Sequence, residues 1–183
     1  TIAPTAHLNT SPQNESRVAV GAADFLGYSP AIAMPLLAEI LTPERVLLDV
    51  EVADKAQLFD RLAAYFADEL GIPAKPIAAS LGEREALGST ALGHAIAIPH
   101  GRIKGLSRAA AAVAQLKTPI DFDAPDGTPV KLAFALLVPQ KATDLHLQIL
   151  SELAQLLSQK ALRDKVLASR DANEIYRLLN EGR

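Results

Sequence analysis

Short apolar runs alternate along the chain with stretches in which apolar residues recur every three or four positions. The short runs are strand-like, because they are rich in aliphatic residues and end at proline, glycine or polar turns. The alanine-rich run at 109–116 also suits a helix by propensity, but its length and its place between two loops favour a buried strand. The pattern predicts strands over residues 46–50, 95–98, 109–116 and 130–138.

The longer periodic stretches predict amphipathic helices with recognisable ends. Asp54 opens the first long helix, and Thr143 or Asp144 caps the helix that follows the last strand. Asp171 and Glu174 have the spacing of a capping box at the start of the final helix. The predicted helices cover residues 35–41, 54–70, 76–86, 143–158, 160–168 and 172–180.

Strands and helices that alternate in this way build an α/β fold, here a small sheet covered by helices on both faces. A hairpin across the turn-rich loop at 117–129 would make that sheet mixed rather than purely parallel. Residues 1–34 lack sustained periodicity and are rich in small and polar residues, so we expect a flexible N-terminal extension there. A single domain is then expected over residues 35–183.

The composition of the chain disfavours some classes of binding partner and indicates a cellular compartment. The formal net charge of −3 disfavours a nucleic acid or an anionic membrane surface as a partner. The chain has no cysteine, which removes disulfides, thiolate metal sites and thiol catalysis and is compatible with a reducing compartment. No apolar run approaches the ~20 residues that a membrane helix needs. We therefore expect a cytoplasmic protein without membrane insertion.

The most informative stretch reads Ala-Ile-Ala-Ile-Pro-His-Gly at residues 95–101. Pro99 cannot donate to a strand ladder, so the strand is expected to end there and His100 to stand at its exit. Gly101 would let the backbone turn at once and keep space open beside the imidazole. An imidazole offers a neutral nucleophilic nitrogen near pH 7, because its unperturbed pKa is ~6.5.

A second histidine, His146, falls in the first turn of the helix that follows the 130–138 strand. Free backbone N–H groups and the helix dipole favour an anion at that position. If the two strands are parallel neighbours, His100 and His146 converge at the carboxyl edge of the sheet, where open α/β sheets place their sites. Two imidazoles, helix N–H donors and a nearby arginine make a phosphoryl-accepting site.

On spacing alone, each of these residues also fits a simpler structural role. His100 would then be a strand-end histidine bonded to backbone, His146 a plain helix residue, and Arg84 a solvated helix charge. Two histidines with a carboxylate also form a zinc ligand set, but no metal-binding spacing is present, and we expect neither a metal nor a cofactor. The basic loop at 101–105 lacks the P-loop pattern, and no Gly-x-Ser-x-Gly supports a hydrolase.

Residues 85–101 resemble a known signature, reading Glu85, six residues, Leu92-Gly93, two residues, then Ile96-Ala97-Ile98-Pro99-His100-Gly101. This pattern is similar to that of IIA components of the bacterial phosphotransferase system, fructose/mannitol type. The resemblance covers about 35–183 and implies a mixed five-stranded sheet with flanking helices. Similarity to the nitrogen-related branch, IIA-Ntr, extends over residues 38–51, 81–93, 115–139 and 146–157.

The resemblance implies a role for each candidate residue. His100 matches the histidine that takes a phosphoryl group, at its tele nitrogen, from an HPr-like phosphocarrier protein. His146 matches a second histidine that stabilises the group without being phosphorylated, and Arg84 matches an arginine that helps to hold it. Thr90 lies in the site loop as a candidate hydroxyl donor, and His94 is assigned no role.

The resemblance also implies a regulatory phosphocarrier linked to nitrogen and potassium homeostasis, whose two phosphorylation states bind different protein targets. The alternative is a sugar-transport IIA enzyme that passes phosphate to a IIB domain. The end of the chain at Arg183, without a fused IIB or phosphocarrier domain, favours the first. A non-phosphorylated binding module of the same fold is a third hypothesis, which the presence of both histidines disfavours. The expected docking face is the sheet edge with Ile98, Pro99 and the 101–107 loop.

Overall fold

The computed structural model describes residues 35–181, and the extension predicted for residues 1–34 lies outside the described residues. Within 35–181, no helix is long and apolar enough to cross a membrane. A 3₁₀ turn at Pro43–Arg45 precedes the first strand. In chain order the elements are α1 (Pro35–Ile40), β1 (Val46–Val50), α2 (Lys55–Leu70), α3 (Ala74–Ala86), β2 (Ala91–Gly93), β3 (Ile96–Ala97), β4 (His100–Ile103), β5 (Ala110–Ile120), β6 (Val130–Pro139), α4 (Thr143–Ser158), α5 (Lys160–Ala168) and α6 (Ala172–Glu181).

The strands form one mixed sheet in the order β1-β5-β6-β3-β2, with β4 also paired to β6. β1 runs parallel to β5, β3 and β4 run parallel to β6, and β5 and β6 form an antiparallel hairpin. The predicted α/β class and the mixed sheet are confirmed. Residues 35–181 contain six strands where about five were expected, because β3 and β4 share one position beside β6.

β3 and β4 are two halves of one interrupted strand. Ile96 pairs with Leu132 and His100 pairs with Leu136, so both halves keep the same register on β6. Pro99 lacks an N–H donor, yet its carbonyl oxygen accepts a bond from the Leu136 N–H at 2.9 Å. The prediction that pairing ends at Pro99 is therefore wrong, because proline removes one donor and leaves the acceptor in place.

The long helices begin and end at residues that satisfy their free backbone groups. The Asp54 carboxylate caps α2 by accepting a bond from Gln57 N at 2.9 Å. Gly71 closes the same helix with a φ of 67°, a conformation that glycine adopts without a steric cost. α3 starts at Ala74, slightly before the predicted start at Pro76. Pro76 lies in the first turn, where backbone N–H groups have no partner within the helix, so its missing N–H costs no hydrogen bond.

The caps of the last helices differ from the predicted ones. Ala142 is the cap residue of α4, so the helix cap lies one residue before Thr143, the first of the two predicted positions. Asp171 does cap α6, since its carboxylate accepts a bond from Glu174 N at 3.2 Å. The Glu174 carboxylate accepts a hydrogen bond from the Ser169 hydroxyl at 2.6 Å, instead of the bond from the Asp171 N–H that a capping box requires.

Helices cover both faces of the sheet, as predicted. α1, α4, α5 and α6 pack on one face, and α2 and α3 pack on the other. Along β5, Ala110, Ala112 and Ala114 all face the α2/α3 layer, where Phe59 and Phe66 of α2 are buried. Small side chains on the strand thus meet large ones on the helix, which fills the space between the layers to the density of a protein interior.

Gly101 is the place where α3 meets β4. The Ser80 hydroxyl accepts a bond from Arg102 N at 3.0 Å and donates to Arg102 O at 3.2 Å. A Cβ at Gly101 would lie 2.6 Å from Ser80 Oγ and 3.1 Å from Ser80 Cβ. Glycine is therefore required for the close approach of a helix, and the predicted turn at this residue is wrong because residues 100–103 form a strand. The approach also places Arg84, further along α3, beside His100.

We expect Gly101→Ala to lower the free energy of unfolding by about 1–3 kcal/mol, the usual cost of overpacking. Gly82→Ala is the matched control, because a Cβ there would meet no atom within 4 Å. Alanine also improves helix propensity, so the control should be neutral or stabilising. Urea denaturation of both variants and the wild type gives the comparison. A Gly101→Ala protein as stable as the wild type would show that α3 does not need this contact.

Candidate active site

His100 opens β4 with both ring nitrogens engaged. Nδ1 lies 2.7 Å from the carbonyl oxygen of Ile98, and Nε2 lies 2.9 Å from Nε of Arg84. A carbonyl oxygen only accepts and a guanidinium only donates, so Nδ1 carries the proton and Nε2 presents a lone pair. The two contacts together hold the His100 ring as one neutral tautomer, with Nε2 as its nucleophilic nitrogen.

The start of β2 leaves the Ile98 carbonyl available to His100. Ile98 N donates to Thr90 O at 2.9 Å, but Thr90 N donates to the Glu85 carboxylate at 2.8 Å. Thr90 and Ile98 therefore share one backbone bond instead of two. The Ile98 carbonyl accepts a hydrogen bond from the His100 imidazole N–H instead. In this way Glu85 contributes to the orientation of the His100 ring without touching it.

Glu85 is only 9% exposed and sits in a network of compensating partners. Its carboxylate accepts hydrogen bonds from the Thr90 hydroxyl at 2.7 Å and from the Lys55 ammonium at 3.0 Å. Lys55 also donates to Asp123 at 2.6 Å. Burial acts to lower the pKa of Lys55, but the bonds to Asp123 and Glu85 outweigh it and leave that pKa raised. A charged Lys55 thus balances the buried carboxylate.

Arg84 lies in the last turn of α3 and is held at both ends of its guanidinium. Nε donates to His100 Nε2, and Nη1 donates to the Gly88 carbonyl at 2.9 Å. The bond to Gly88 returns to the loop that follows the same helix, so it fixes the direction of the side chain. A solvated helix charge, the simpler alternative from the sequence, does not describe this geometry.

α4 brings His146 against His100. The ring centroids are 4.9 Å apart, with the ring planes at 61°. His146 is 8% exposed, and neither of its ring nitrogens has a hydrogen-bond partner within residues 35–181. Buried polar atoms without partners cost free energy, so an acceptor oxygen beside the ring would satisfy the His146 nitrogen that carries the proton. The two imidazoles converge at the start of β4, although the carboxyl edge of the sheet was expected.

Both imidazoles are held in the neutral form. Burial lowers the pKa of His100; the bond to Ile98 opposes this effect, and the Arg84 charge adds to it. Burial also lowers the pKa of His146, to about 4, and the neighbouring His100, Arg102 and Arg84 add to the shift. Arg102, which the sequence analysis did not single out, therefore acts on both rings through its charge.

Exposed apolar side chains flank the site. Leu87 is 86% exposed, Leu147 is 61% exposed and Leu92 is 43% exposed, and each lies within three residues of Arg84, His146 or Thr90 along the chain. The docking face expected at Ile98 and Pro99 is wrong in this respect, because both residues are buried. They face inward because β3 and β4 continue the sheet through this point.

The arrangement suits an electrophile that carries negative charge. Nε2 of neutral His100 presents a lone pair, while the Arg84 and Arg102 cations and the His146 ring, which has no hydrogen-bond partner within residues 35–181, place groups that attract anionic oxygens around it. Within the described residues, no group of three His, Cys, Asp or Glu side chains has the geometry of a metal site. Thr90 is close to the site, but its hydroxyl donates to Glu85.

A family model described as "Phosphoenolpyruvate-dependent sugar phosphotransferase system, EIIA 2" matches residues 39–182. The chain belongs to this family. Members of the family are phosphoryl-transfer components of the phosphotransferase system, so the resemblance inferred from residues 85–101 is confirmed.

Three relatives extend the comparison of this IIA chain. A nitrogen regulatory protein of Pseudomonas aeruginosa is 41% identical over 144 residues, or 78% of this chain and 94% of that protein. The crystal structure of the nitrogen regulatory protein IIA-Ntr from Neisseria meningitidis superposes with a TM-score of 0.75 at 42% identity and covers 79% of this chain and 99% of that chain. A fructose-specific EIIA component of Haloferax volcanii is 36% identical over 135 residues, or 74% of this chain and 79% of that protein. The similarity to the nitrogen-related branch is confirmed.

The sequence indicated His100, His146 and Arg84, and the structure brings all three together. It also reveals two contributors that the sequence analysis did not assign, Lys55 and the carboxylate of Glu85. Glu85 was visible only as the first position of the signature. A hydrophobic pattern cannot show that an acid in a helix is buried, but an acid that is buried must have a partner such as Lys55.

The lowered pKa values predict where the imidazoles titrate. Both lie below the ordinary histidine value of about 6.5, so the rings stay neutral as the pH falls through 6.5, while an unfolded chain would already bind protons. NMR shifts of the ring carbon protons should place the His146 midpoint at about 4. Arg102→Gln should raise that midpoint, because it removes a nearby cation. A His146 midpoint near 6.5 would contradict the buried, neutral ring.

Proposed function

We propose that this chain is a cytoplasmic regulatory phosphocarrier of the nitrogen-related type. It accepts a phosphoryl group on Nε2 of His100 from an HPr-like phosphocarrier, and its two phosphorylation states bind different regulatory proteins of nitrogen and potassium homeostasis. The observation that carries the proposal is the pair of contacts on the His100 ring, which leaves Nε2 as a basic nitrogen beside a guanidinium. Family membership supplies the reaction class.

In the proposed step, the Nε2 lone pair attacks the phosphorus of the donor's phosphohistidine. One N–P bond forms as another breaks, and the bonding electron pair stays on the donor's ring nitrogen. The Nδ1 proton remains on His100, where its bond to the Ile98 carbonyl helps to stabilise the positive charge that grows on the ring. Because the transition state of phosphoryl transfer is loose, the protein mainly positions groups and balances charge.

Arg84 has to release Nε2 before the attack. Its Nε–H occupies the nitrogen lone pair at 2.9 Å, and the guanidinium carries further donors in a fixed plane. A small movement would bring these donors onto the equatorial phosphoryl oxygens. The bond from Nη1 to Gly88 keeps the side chain within reach during this exchange.

His146 and Thr90 would act on the phosphoryl oxygens to different degrees. A neutral His146 has one N–H donor, which has no other partner within residues 35–181 and is next to the His100 ring. The Thr90 hydroxyl would first have to leave Glu85, to which it donates at 2.7 Å. We therefore assign the stabilising contact to His146, with Thr90 as a secondary donor.

The acceptor is tested by incubating the protein with phosphoenolpyruvate, a general phosphotransferase enzyme and the HPr-like phosphocarrier. Intact mass measured without acid exposure should show one added phosphoryl group, and His100→Ala should abolish it. His94→Ala is the matched control, because His94 is exposed and makes none of the contacts described for the site, and it should be labelled like the wild type. Labelling that survives His100→Ala would reject the assignment.

The same assay tests His146. His146→Ala should slow transfer by on the order of 10²-fold, the usual effect of removing one donor to developing charge. The label should still reside on His100, and the unfolding free energy reports separately whether the fold is intact. A transfer rate equal to that of the wild type would mean that His146 only packs against the acceptor ring.

The second candidate function is transport, in which the phosphoryl group passes from His100 to a IIB domain. It is supported by the similarity to a fructose-specific EIIA component, whereas the Pseudomonas and Neisseria relatives support regulation. Phosphorylated protein should transfer slowly or not at all to purified IIB domains, and pull-downs with the two phosphorylation states should recover different regulatory proteins. Rapid, complete transfer to a fructose IIB domain would favour transport instead.

A further inference from the structure

The ammonium of Lys55 stands at the outer end of a series of contacts that reaches the acceptor ring. It donates to Glu85 Oε1 at 3.0 Å, and Glu85 Oε2 accepts the backbone N–H and the hydroxyl of Thr90 at 2.8 and 2.7 Å. Thr90 O accepts a bond from Ile98 N at 2.9 Å. Ile98 O in turn accepts the bond from Nδ1 of His100 at 2.7 Å. Each link is within normal hydrogen-bond distance, so the series is continuous from α2 to the ring.

The backbone N–H of Thr90 and the His100 ring can compete for the same acceptor, Ile98 O. Thr90 and Ile98 extend the antiparallel pair of β2 and β3 by one position. Opposed residues at a hydrogen-bonded position exchange two backbone bonds, but here only the bond from Ile98 N to Thr90 O is made. The second bond would join Thr90 N to Ile98 O. Glu85 prevents this competition because its carboxylate takes the Thr90 N–H.

Glu85 can hold the Thr90 N–H only while its carboxylate stays turned inward. The side chain is buried, and its second oxygen faces the ammonium of Lys55. A buried carboxylate that loses its cation carries a large desolvation cost, so it would turn towards water. Such a turn would release the Thr90 N–H. The position of the acid therefore depends on Lys55.

The place of Lys55 is unfavourable for α2 taken by itself. Lys55 is the first residue of the helix, where the helix dipole and the free N–H groups favour negative charge. The ammonium reaches away from the helix to Glu85 and to the exposed Asp123, and it lies 5.2 Å from the centre of the Phe122 ring. A cation at this position is explained by its contact with the buried acid, since it does not stabilise the start of α2.

We propose that Lys55 is a positioning residue for phosphoryl transfer. Its ammonium holds the Glu85 carboxylate on the Thr90 N–H. The Ile98 carbonyl then stays available to the His100 ring, and Nε2 keeps its lone pair for the attack. This proposal rests on the function proposed above and adds a residue that acts on the nucleophile without touching the donor. A displacement of about 1 Å in a reacting group can cost on the order of 10²-fold in rate, so a small shift of the ring is sufficient.

Lys55→Met tests the proposal, because it removes the ammonium and keeps an unbranched apolar side chain beside Phe122. At saturating phosphorylated HPr-like phosphocarrier, transfer to His100 should slow by about tenfold or more. The donor concentration at half-maximal rate should stay within about twofold of the wild type, because donor binding is not affected. Phosphoramidate, a donor without a protein surface, should show the same slowing. Slowing that is confined to the protein donor would overturn the proposal by placing the effect in docking.

Asp123→Asn is the matched control. It removes the other partner of Lys55, a carboxylate whose side chain is 76% exposed, and leaves the contact with Glu85 in place. Exposed ion pairs contribute little, so the control should react within about twofold of the wild type with both donors. A control as slow as Lys55→Met would show that the effect does not pass through Glu85, and it would also overturn the proposal.

The ¹⁵N NMR shifts of the His100 ring nitrogens give a readout that a merely structural Lys55 would not change. In the wild type, Nδ1 should have the shift of a protonated nitrogen and Nε2 that of a bare one. In Lys55→Met the two shifts should move towards each other, because a weaker bond to Ile98 O lets the two tautomers mix. Wild-type shifts in a folded Lys55→Met protein would overturn the proposal, whatever its rate.

A second pair of variants keeps the test decisive if Lys55→Met does not fold, which urea denaturation reports. Glu85→Gln retains an oxygen that can accept the Thr90 N–H but has no charge for Lys55 to balance. Adding Lys55→Met to Glu85→Gln should therefore change the transfer rate by less than about twofold, and a larger further loss would overturn the proposal by showing a second route of action. If the wild type is labelled by neither donor, the proposed function is wrong, and the NMR shifts still decide whether Lys55 positions the ring.

Discussion

The hydrogen bond from His100 Nδ1 to the Ile98 carbonyl is the interaction on which the site depends. It spans a single residue, Pro99, and fixes both the orientation and the tautomer of the ring. A histidine free to rotate would present either nitrogen, and neither would have a constant partner. With Nδ1 engaged, only Nε2 remains as a base, and the Arg84 guanidinium is already placed against it.

That bond is possible because the backbone around it is used in an unusual way. Pro99 supplies a carbonyl to β6 and no N–H, so the strand continues with one bond missing. Thr90 N turns to the Glu85 carboxylate instead of completing the pair with Ile98. The acid is in turn held by Lys55, so the backbone beside the His100 ring depends on a partly buried ion pair that does not touch the ring.

Charge is arranged around the site in two layers. Close to the rings, burial and neighbouring cations keep His100 and His146 neutral, and the His146 ring beside His100 has no hydrogen-bond partner within residues 35–181. Further out, Arg102, Lys104 and Arg108 are exposed to solvent. The same positive field that disfavours protonation of the imidazoles therefore favours the approach of an anionic group, since both effects follow from Coulomb's law.

Much of the fold follows from the sequence by itself. Apolar runs predicted the strands, apolar periodicity predicted the helices on both faces, and Asp54 and Asp171 marked two of the helix starts, because these are local properties of the chain. The signature around His100 likewise identified the family and the two histidines. The sequence analysis misplaced what depends on residues distant in the chain, namely the strand that continues past Pro99 and the contact that requires Gly101. Only tertiary structure decides which carbonyl a ring nitrogen reaches, or which lysine neutralises a buried acid. For this reason His100 was visible in the sequence as a candidate site residue, while the orientation of its ring and the contacts of Glu85 and Lys55 were not.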